Sequence, residues 1–322
     1  MVTRRQTLGL IGASAIAAGL PFTGGARAAT PKTLRIGWQK GGILALAKSQ
    51  GALEKLFASR GISITWSEFS SGPPLLEALG AGALDFGPTG DVPPLFAQAA
   101  RGNLVYAGTY KGSAEGSAIL VRKDSPIQTL QDLKGKKLAF KRGSSAHNVA
   151  VKVLRKGGLA LTDVTQVDLA PADAAAAFKN GSIDAWSIWD PFTAVAQADP
   201  QTRVLTTAKG IVESWSFFLA NGDFAKANPD VITDIIKELA RFGKEAQTNL
   251  EATIPALSEI TGVPQDITRV TLTRSDSNLG DVATISDAAI AYQQSLADEF
   301  FDLKIIPRKL TISDIVWRPK AS

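Results

Sequence analysis

The 322-residue chain contains no cysteine and only one histidine. Without cysteine there is no disulfide framework, thiolate zinc site, iron–sulfur cluster or cysteine nucleophile. His147 is the sole imidazole, so a histidine-rich metal centre is excluded, and a serine triad would have to run through this one residue. Chemistry is left to carboxylates, lysines and backbone amides. No nucleophile–base constellation stands out among them, so neither catalysis nor a metal or cofactor is expected. Long hydrophobic runs are also scarce. The longest uncharged apolar stretch, Leu8–Leu20, has thirteen residues, short of the roughly 20 that a membrane-spanning helix needs.

That stretch follows Arg4-Arg5 and precedes Pro21 and Ala26-Arg27-Ala28-Ala29, the anatomy of an export signal with cleavage expected after Ala28. The arginine pair resembles a twin-arginine signal, although Thr7 and Gly9 stand where that pattern commonly has Phe and Lys. No cysteine follows the run, so a lipid anchor is not expected and the destination is a periplasm. The leader also accounts for most of the formal charge of +5. Without Arg4, Arg5 and Arg27 the balance is 32 basic against 30 acidic residues. No basic stripe interleaved with aromatics remains to suggest nucleic acid.

After the leader, strand and helix patterns alternate. Strands are expected at 34–38, 62–66, 84–86 and 104–107. One helix is expected from Gly41-Gly42 to near Gly61, and another from Pro73-Pro74 to Leu79. A second set follows, with strands at 138–140, 164–169 and 183–188 and helices starting at Ser144 and Pro171. This order implies open, largely parallel sheets covered by helices, an α/β class. The halves also match in sequence: Gly82-Ala83-Leu84-Asp85-Phe86 faces Gly181-Ser182-Ile183-Asp184-Ala185, and Asp91 faces Asp190 at the same spacing. Two lobes of like construction are therefore expected. The extended segments 117–121 and 215–219 read as crossings, which puts 29–122 and 215–322 in lobe I and 123–214 in lobe II. Helices beginning at Asn228-Pro229 and at Ile285/Ser286 complete lobe I.

Open α/β sheets bind ligands at the carboxyl ends of their strands. Three such ends carry Gln39-Lys40-Gly41-Gly42, Thr89-Gly90-Asp91 and Ser144-Ser145-Ala146-His147, which combine glycine, small hydroxyls and helix starts. Unpaired N–H groups at a helix start suit an anion, and glycine admits it close to the backbone. Trp189 and Trp215 are the expected apolar walls for an organic tail. Asp91 and Asp190 belong to the same constellation but would repel an anion. They read as helix caps or as partners of a nearby Lys or Arg.

Several runs carry a resemblance: 35–41, 72–79, 85–100, 169–174 and Asp184-Ala185-Trp186-Ser187-Ile188-Trp189-Asp190-Pro191-Phe192. Together they resemble the aliphatic sulfonate-binding proteins of bacterial ABC importers, within the nitrate/sulfonate/taurine group of periplasmic binding proteins. The likeness extends from about Arg35 to Trp317. It implies the two-lobed type II periplasmic-binding-protein fold, with a two-strand hinge and a ligand cleft between the lobes. It further implies a monomer that captures an alkanesulfonate and delivers it to a membrane permease and its ATPase. Carried over to this chain, Gly41, Gly42, Ser144, Ser145 and Thr89-Gly90 would hold the sulfonate oxygens, Gln39 and His147 would donate from side chains, and Trp189 and Trp215 would flank the tail. Taurine, nitrate or another small anion is the alternative ligand. Thiamin-pyrimidine synthases resemble the same group, but they depend on a cysteine-rich motif and on histidine chemistry that this chain lacks.

Overall fold

The computed structural model describes residues 31–319. The expected leader lies outside them. The first part of the chain runs β1 (Thr33–Trp38), α1 (Gly42–Ser49), α2 (Ala52–Phe57), β2 (Ser63–Glu68), α3 (Gly72–Gly80), β3 (Phe86–Gly90), α4 (Val92–Ala99) and β4 (Leu104–Lys111). The second part is β5 (Ser117–Arg122), β6 (Lys137–Phe140), α5 (Ser145–Lys156), β7 (Thr165–Asp168), α6 (Pro171–Lys179), β8 (Ala185–Trp189), α7 (Phe192–Gln197) and β9 (Thr202–Thr207). The chain then returns through β10 (Trp215–Asn221), α8 (Gly222–Ala227), α9 (Pro229–Thr248), α10 (Leu250–Thr261), α11 (Gln265–Leu272) and α12 (Asp287–Asp302).

Two five-stranded sheets result, ordered β2-β1-β3-β10-β4 and β7-β6-β8-β5-β9. Each has three parallel strands beside an antiparallel return, β10 in one and β5 in the other. The sheets are therefore mixed rather than largely parallel, because each receives one strand of the chain as it passes between lobes. The expected likeness of the lobes is realised in topology: β3 and β8 occupy the same place in their sheets, 99 positions apart.

The crossings need correction. Ser117–Arg122 pairs only with β8 and β9, and Trp215–Asn221 only with β3 and β4. Each segment lies wholly within one sheet, and β5 joins the second sheet although the expected boundary at 122 gave it to the first lobe. The chain changes sheets in 112–116 and 208–214. These two passages run side by side, Gly112 N–H bonding Ser214 O at 2.7 Å and Ala208 N–H bonding Ser117 O at 2.8 Å.

Alternation along the central strands fills two layers per sheet. Phe218 and Ala220 of β10 face α1, α2, α9 and α10, while Phe217 and Leu219 face α3, α4 and α12. In β5, Ile119 and Val121 pack toward α5, and Ala118 and Leu120 toward α6. The helices supply matching stripes, as in α9, where Val231, Ile232, Ile235, Ile236, Leu239 and Phe242 are buried at helical spacing. The helix expected from Gly41 to near Gly61 is broken at Gly51, whose φ of 62° is left-handed. The free edge of β4 is covered by an antiparallel bridge from Ala283 and a parallel one from Val316. No helix among the described residues is long and apolar enough to cross a membrane.

Candidate functional site

The carboxyl ends of β1, β3 and β8, the start of α5 and the two passages between lobes surround one cleft of about 240 Å³. Eleven of the twelve expected site residues line it: Gln39, Gly41, Gly42, Thr89, Gly90, Asp91, Ser144, Ser145, Trp189, Asp190 and Trp215. His147 does not.

At the first lobe, Gly41 and Gly42 have φ of 109° and 73°, so the turn into α1 relies on glycine. A Cβ at Gly41 would lie 3.5 Å from Pro191 Cδ of the other lobe. Gln39 Nε2 donates to Pro88 O at 2.9 Å, which ties the exit of β1 to β3 and commits that donor within the lobe. The strand expected at 84–86 instead begins at Phe86 and runs on to Gly90, paired with β10. Thr89, in the cleft wall, is buried with its Oγ1 unpartnered and close against Gly72. Gly90 lies against the second lobe, since a Cβ there would sit 1.7 Å from Ser145 Oγ.

At the second lobe, Ser144 precedes α5, but its hydroxyl and its N–H both donate to Lys141 O, at 2.7 and 3.1 Å. Ser144 therefore shapes the turn, and the start of α5 at Ser145 carries the uncommitted donors. Trp189 closes β8 and meets Phe192 edge-on at 6.3 Å. Trp215 is half-buried, with Lys111 Nζ 4.5 Å from its ring centre and its Nε1–H on Glu213 at 3.0 Å.

The two aspartates have different surroundings. Asp190 follows the cation-partner reading: Arg274 of the first lobe pairs with it, both side chains largely buried, and its Oδ1 accepts Ala194 N–H at 3.0 Å. Asp91 fits neither reading, because no cation among the described residues pairs with it and its side chain caps no helix. Its Oδ2 accepts Asn148 Nδ2–H at 2.6 Å and Tyr292 O–H at 2.8 Å, while Oδ1 has no partner. Burial pushes this carboxyl above the usual range, opposed by the hydrogen bonds from Tyr292 and Asn148. Sequence reasoning missed Asn148, Tyr292 and Arg274, which lie 57, 201 and 84 positions from their partners. No local pattern announces such pairs.

His147 requires the clearest correction. Its ring stacks on Phe140 at 4.9 Å and meets Phe300 edge-on at 5.4 Å, on the side of α5 away from the cleft. Burial, with Arg142 nearby, lowers its pKa to about 4. It is a neutral ring in an aromatic setting and does not line the cleft.

With this geometry established, comparison with known proteins places the chain. Residues 44–249 match the family model described as NMT1/THI5 like. The alkanesulfonate-binding protein SsuA from Xanthomonas axonopodis pv. citri, solved bound to MOPS, superposes with a TM-score of 0.85 at 38% identity, covering 90% of this chain and 100% of that one. The periplasmic aliphatic sulphonate binding protein SsuA from Escherichia coli superposes at 0.79 with 39% identity, covering 89% and 98%. The desulfurization enzyme DszB aligns at 15% identity with a TM-score of 0.66, covering 90% and 97%, a likeness of fold alone.

Proposed function

The chain belongs to the NMT1/THI5-like family, and on that premise we propose that it is a periplasmic receptor that captures alkanesulfonates between its lobes and delivers them to an ABC importer. The observation that carries this reading is the convergence on one cleft of two helix starts, at Gly42 and Ser145, with the unpartnered Thr89 hydroxyl and the Trp189 and Trp215 rings. The N–H groups at both helix starts and the hydroxyl donate to the three sulfonate oxygens. The indoles take the carbon tail. The lobes correspond to 31–111 with 215–319, and to 117–207. The relatives at more than a third identity are binding proteins, and the chain works as one rather than as an enzyme.

Capture proceeds by closure. The head group docks on one lobe, and donors of the second lobe favour the closed state by their differential affinity. Asp91–Asn148 and Asp190–Arg274 then join the lobes on either side of the ligand. The permease and its ATPase read the closed shape, and one monomer suffices. A sulfonate stays anionic throughout the physiological range, so capture needs no proton. Mass spectrometry of small anions released by denaturing the purified protein tests the assignment. An organosulfonate is expected; nitrate or another inorganic anion in stoichiometric amount overturns it.

A further inference from the structure

The side of α5 opposite the cleft faces a groove of about 560 Å³. His147, Val151 and Arg155 recur every fourth residue and form one stripe along it, with Arg142 at the head. Leu161 walls it from the same lobe, and Leu303, Lys304 and Ile305 close it from the other. Leu303 is one of three large hydrophobic side chains left exposed among the described residues.

His147, which lines this groove, carries an unanswered donor. His147 Nδ1 accepts Gly143 N–H at 3.3 Å, and the ring is neutral at pH 7, so its proton resides on Nε2. His147 is only 2% exposed, and Nε2 has no partner among the described residues. A buried N–H without an acceptor is uncommon in a folded protein and marks a place where something accepts from it. Phe140, Phe300 and Phe96 fix the ring, so Nε2 cannot swing to another partner.

The rim is cationic. Arg142 and Lys304 have no carboxylate partner among the described residues, and the acids beside the groove are already engaged. Asp168 is held by Lys141, and Glu299 by both Lys152 and Arg155. We propose that this groove is a second ligand site, separate from the cleft, for an organic anion whose oxyanion head accepts from His147 Nε2–H between Arg142 and Lys304. The apolar body of that ligand lies on Val151, Leu161, Leu303 and Ile305. Because the walls come from both lobes, an occupant bridges them at a distance from the cleft.

His147 is the only histidine of the chain, so its imidazole gives a single set of nitrogen signals. The test titrates the full mature protein with hexanoate, and in parallel with inorganic phosphate, while following the ¹⁵N and bonded-proton signals of that ring. A saturable shift of Nε2–H with hexanoate is expected, weaker with phosphate, which brings no apolar body. In Arg142→Gln/Lys304→Gln the hexanoate affinity should fall at least about tenfold. Sulfonate binding in the cleft, read by tryptophan fluorescence, should be unchanged and shows that the variant is folded. A shift that does not saturate means water alone occupies the groove and overturns the proposal. A shift that saturates equally in the double variant assigns the effect to the cleft and overturns it as well.

Discussion

Asp91 at the exit of β3 and Asn148 in α5 are joined by a hydrogen bond of 2.6 Å from Nδ2 to Oδ2, with both side chains buried and each on a different lobe. The same carboxylate oxygen accepts from Tyr292 at 2.8 Å, and Gln293 Nε2 holds the Asp91 carbonyl at 2.6 Å. The exit of β3 is thus clasped from both sides. In Asn148→Ala the buried carboxylate loses a donor, and unsatisfied groups of this kind typically cost about 1–3 kcal/mol. Denaturant titration should show that loss, and calorimetry should show weaker sulfonate binding. Tyr292→Phe removes the bond to Asp91 within one lobe and a longer one, 3.2 Å from Asn148 Nδ2, across the seam; with the Asp91–Asn148 bond kept, it should lower stability with less effect on affinity.

Gly90 and Ser145 set how nearly the lobes approach. Gly90→Ala places a methyl group 1.7 Å from Ser145 Oγ and 3.1 Å from its Cβ, so hydroxyl rotation alone does not relieve the clash. Affinity is expected to fall at least about tenfold, roughly 1.4 kcal/mol of closure energy. Adding Ser145→Gly should restore part of it. Fluorescence titration of the two variants makes the comparison, and an unaltered single variant would show that the lobes do not meet there during binding.

The Asp190–Arg274 pair calls for a double-mutant cycle. Its side chains are 16% and 10% exposed, so removing either partner strands a charge at a cost of about 3–5 kcal/mol. Asp190→Asn with Arg274→Gln should be less damaging than the sum of the singles, measured by urea unfolding. Additive singles would mean the two side chains act independently.

His147 makes stability pH-dependent in a defined direction. Its pKa falls from 6.5 to about 4 on folding, mainly through burial. The unfolded chain therefore binds the proton first, and the contribution is complete above 6.5 and lost as the pH falls toward 4. The loss is on the order of 3 kcal/mol. Thermal unfolding across this range should be flatter in His147→Phe, which fits an aromatic setting and takes up no proton.

Much of this architecture was legible in sequence because it rests on local rules. Alternating apolar positions marked the strands, Gly41-Gly42 and Ser144-Ser145 marked helix starts, and the repeated strand ending in Asp91 and Asp190 marked the two lobes. The misreadings have physical causes. Ser145 and His147 are two positions apart on one helix, which turns them to opposite sides, so a motif that names both cannot bring both to one ligand. The segments at 117 and 215 look extended because they are central strands, and the true passages between lobes have no strand pattern to display. Asn148, Tyr292 and Arg274 act across the seam between lobes, where partners are decided by tertiary packing.

The central claim is that the cleft holds a sulfonate head with a carbon tail between Trp189 and Trp215. Isothermal titration of the mature protein with alkanesulfonates of increasing chain length, beside taurine, nitrate and inorganic sulfate, tests it most directly. Affinity should rise with the first added methylenes, by up to about 0.8 kcal/mol for each one buried, exceed that for nitrate and sulfate, and stay level between pH 6 and 8, the window in which a sulfonate keeps its charge. Tighter binding of nitrate or inorganic sulfate, or no gain from the tail, would contradict it.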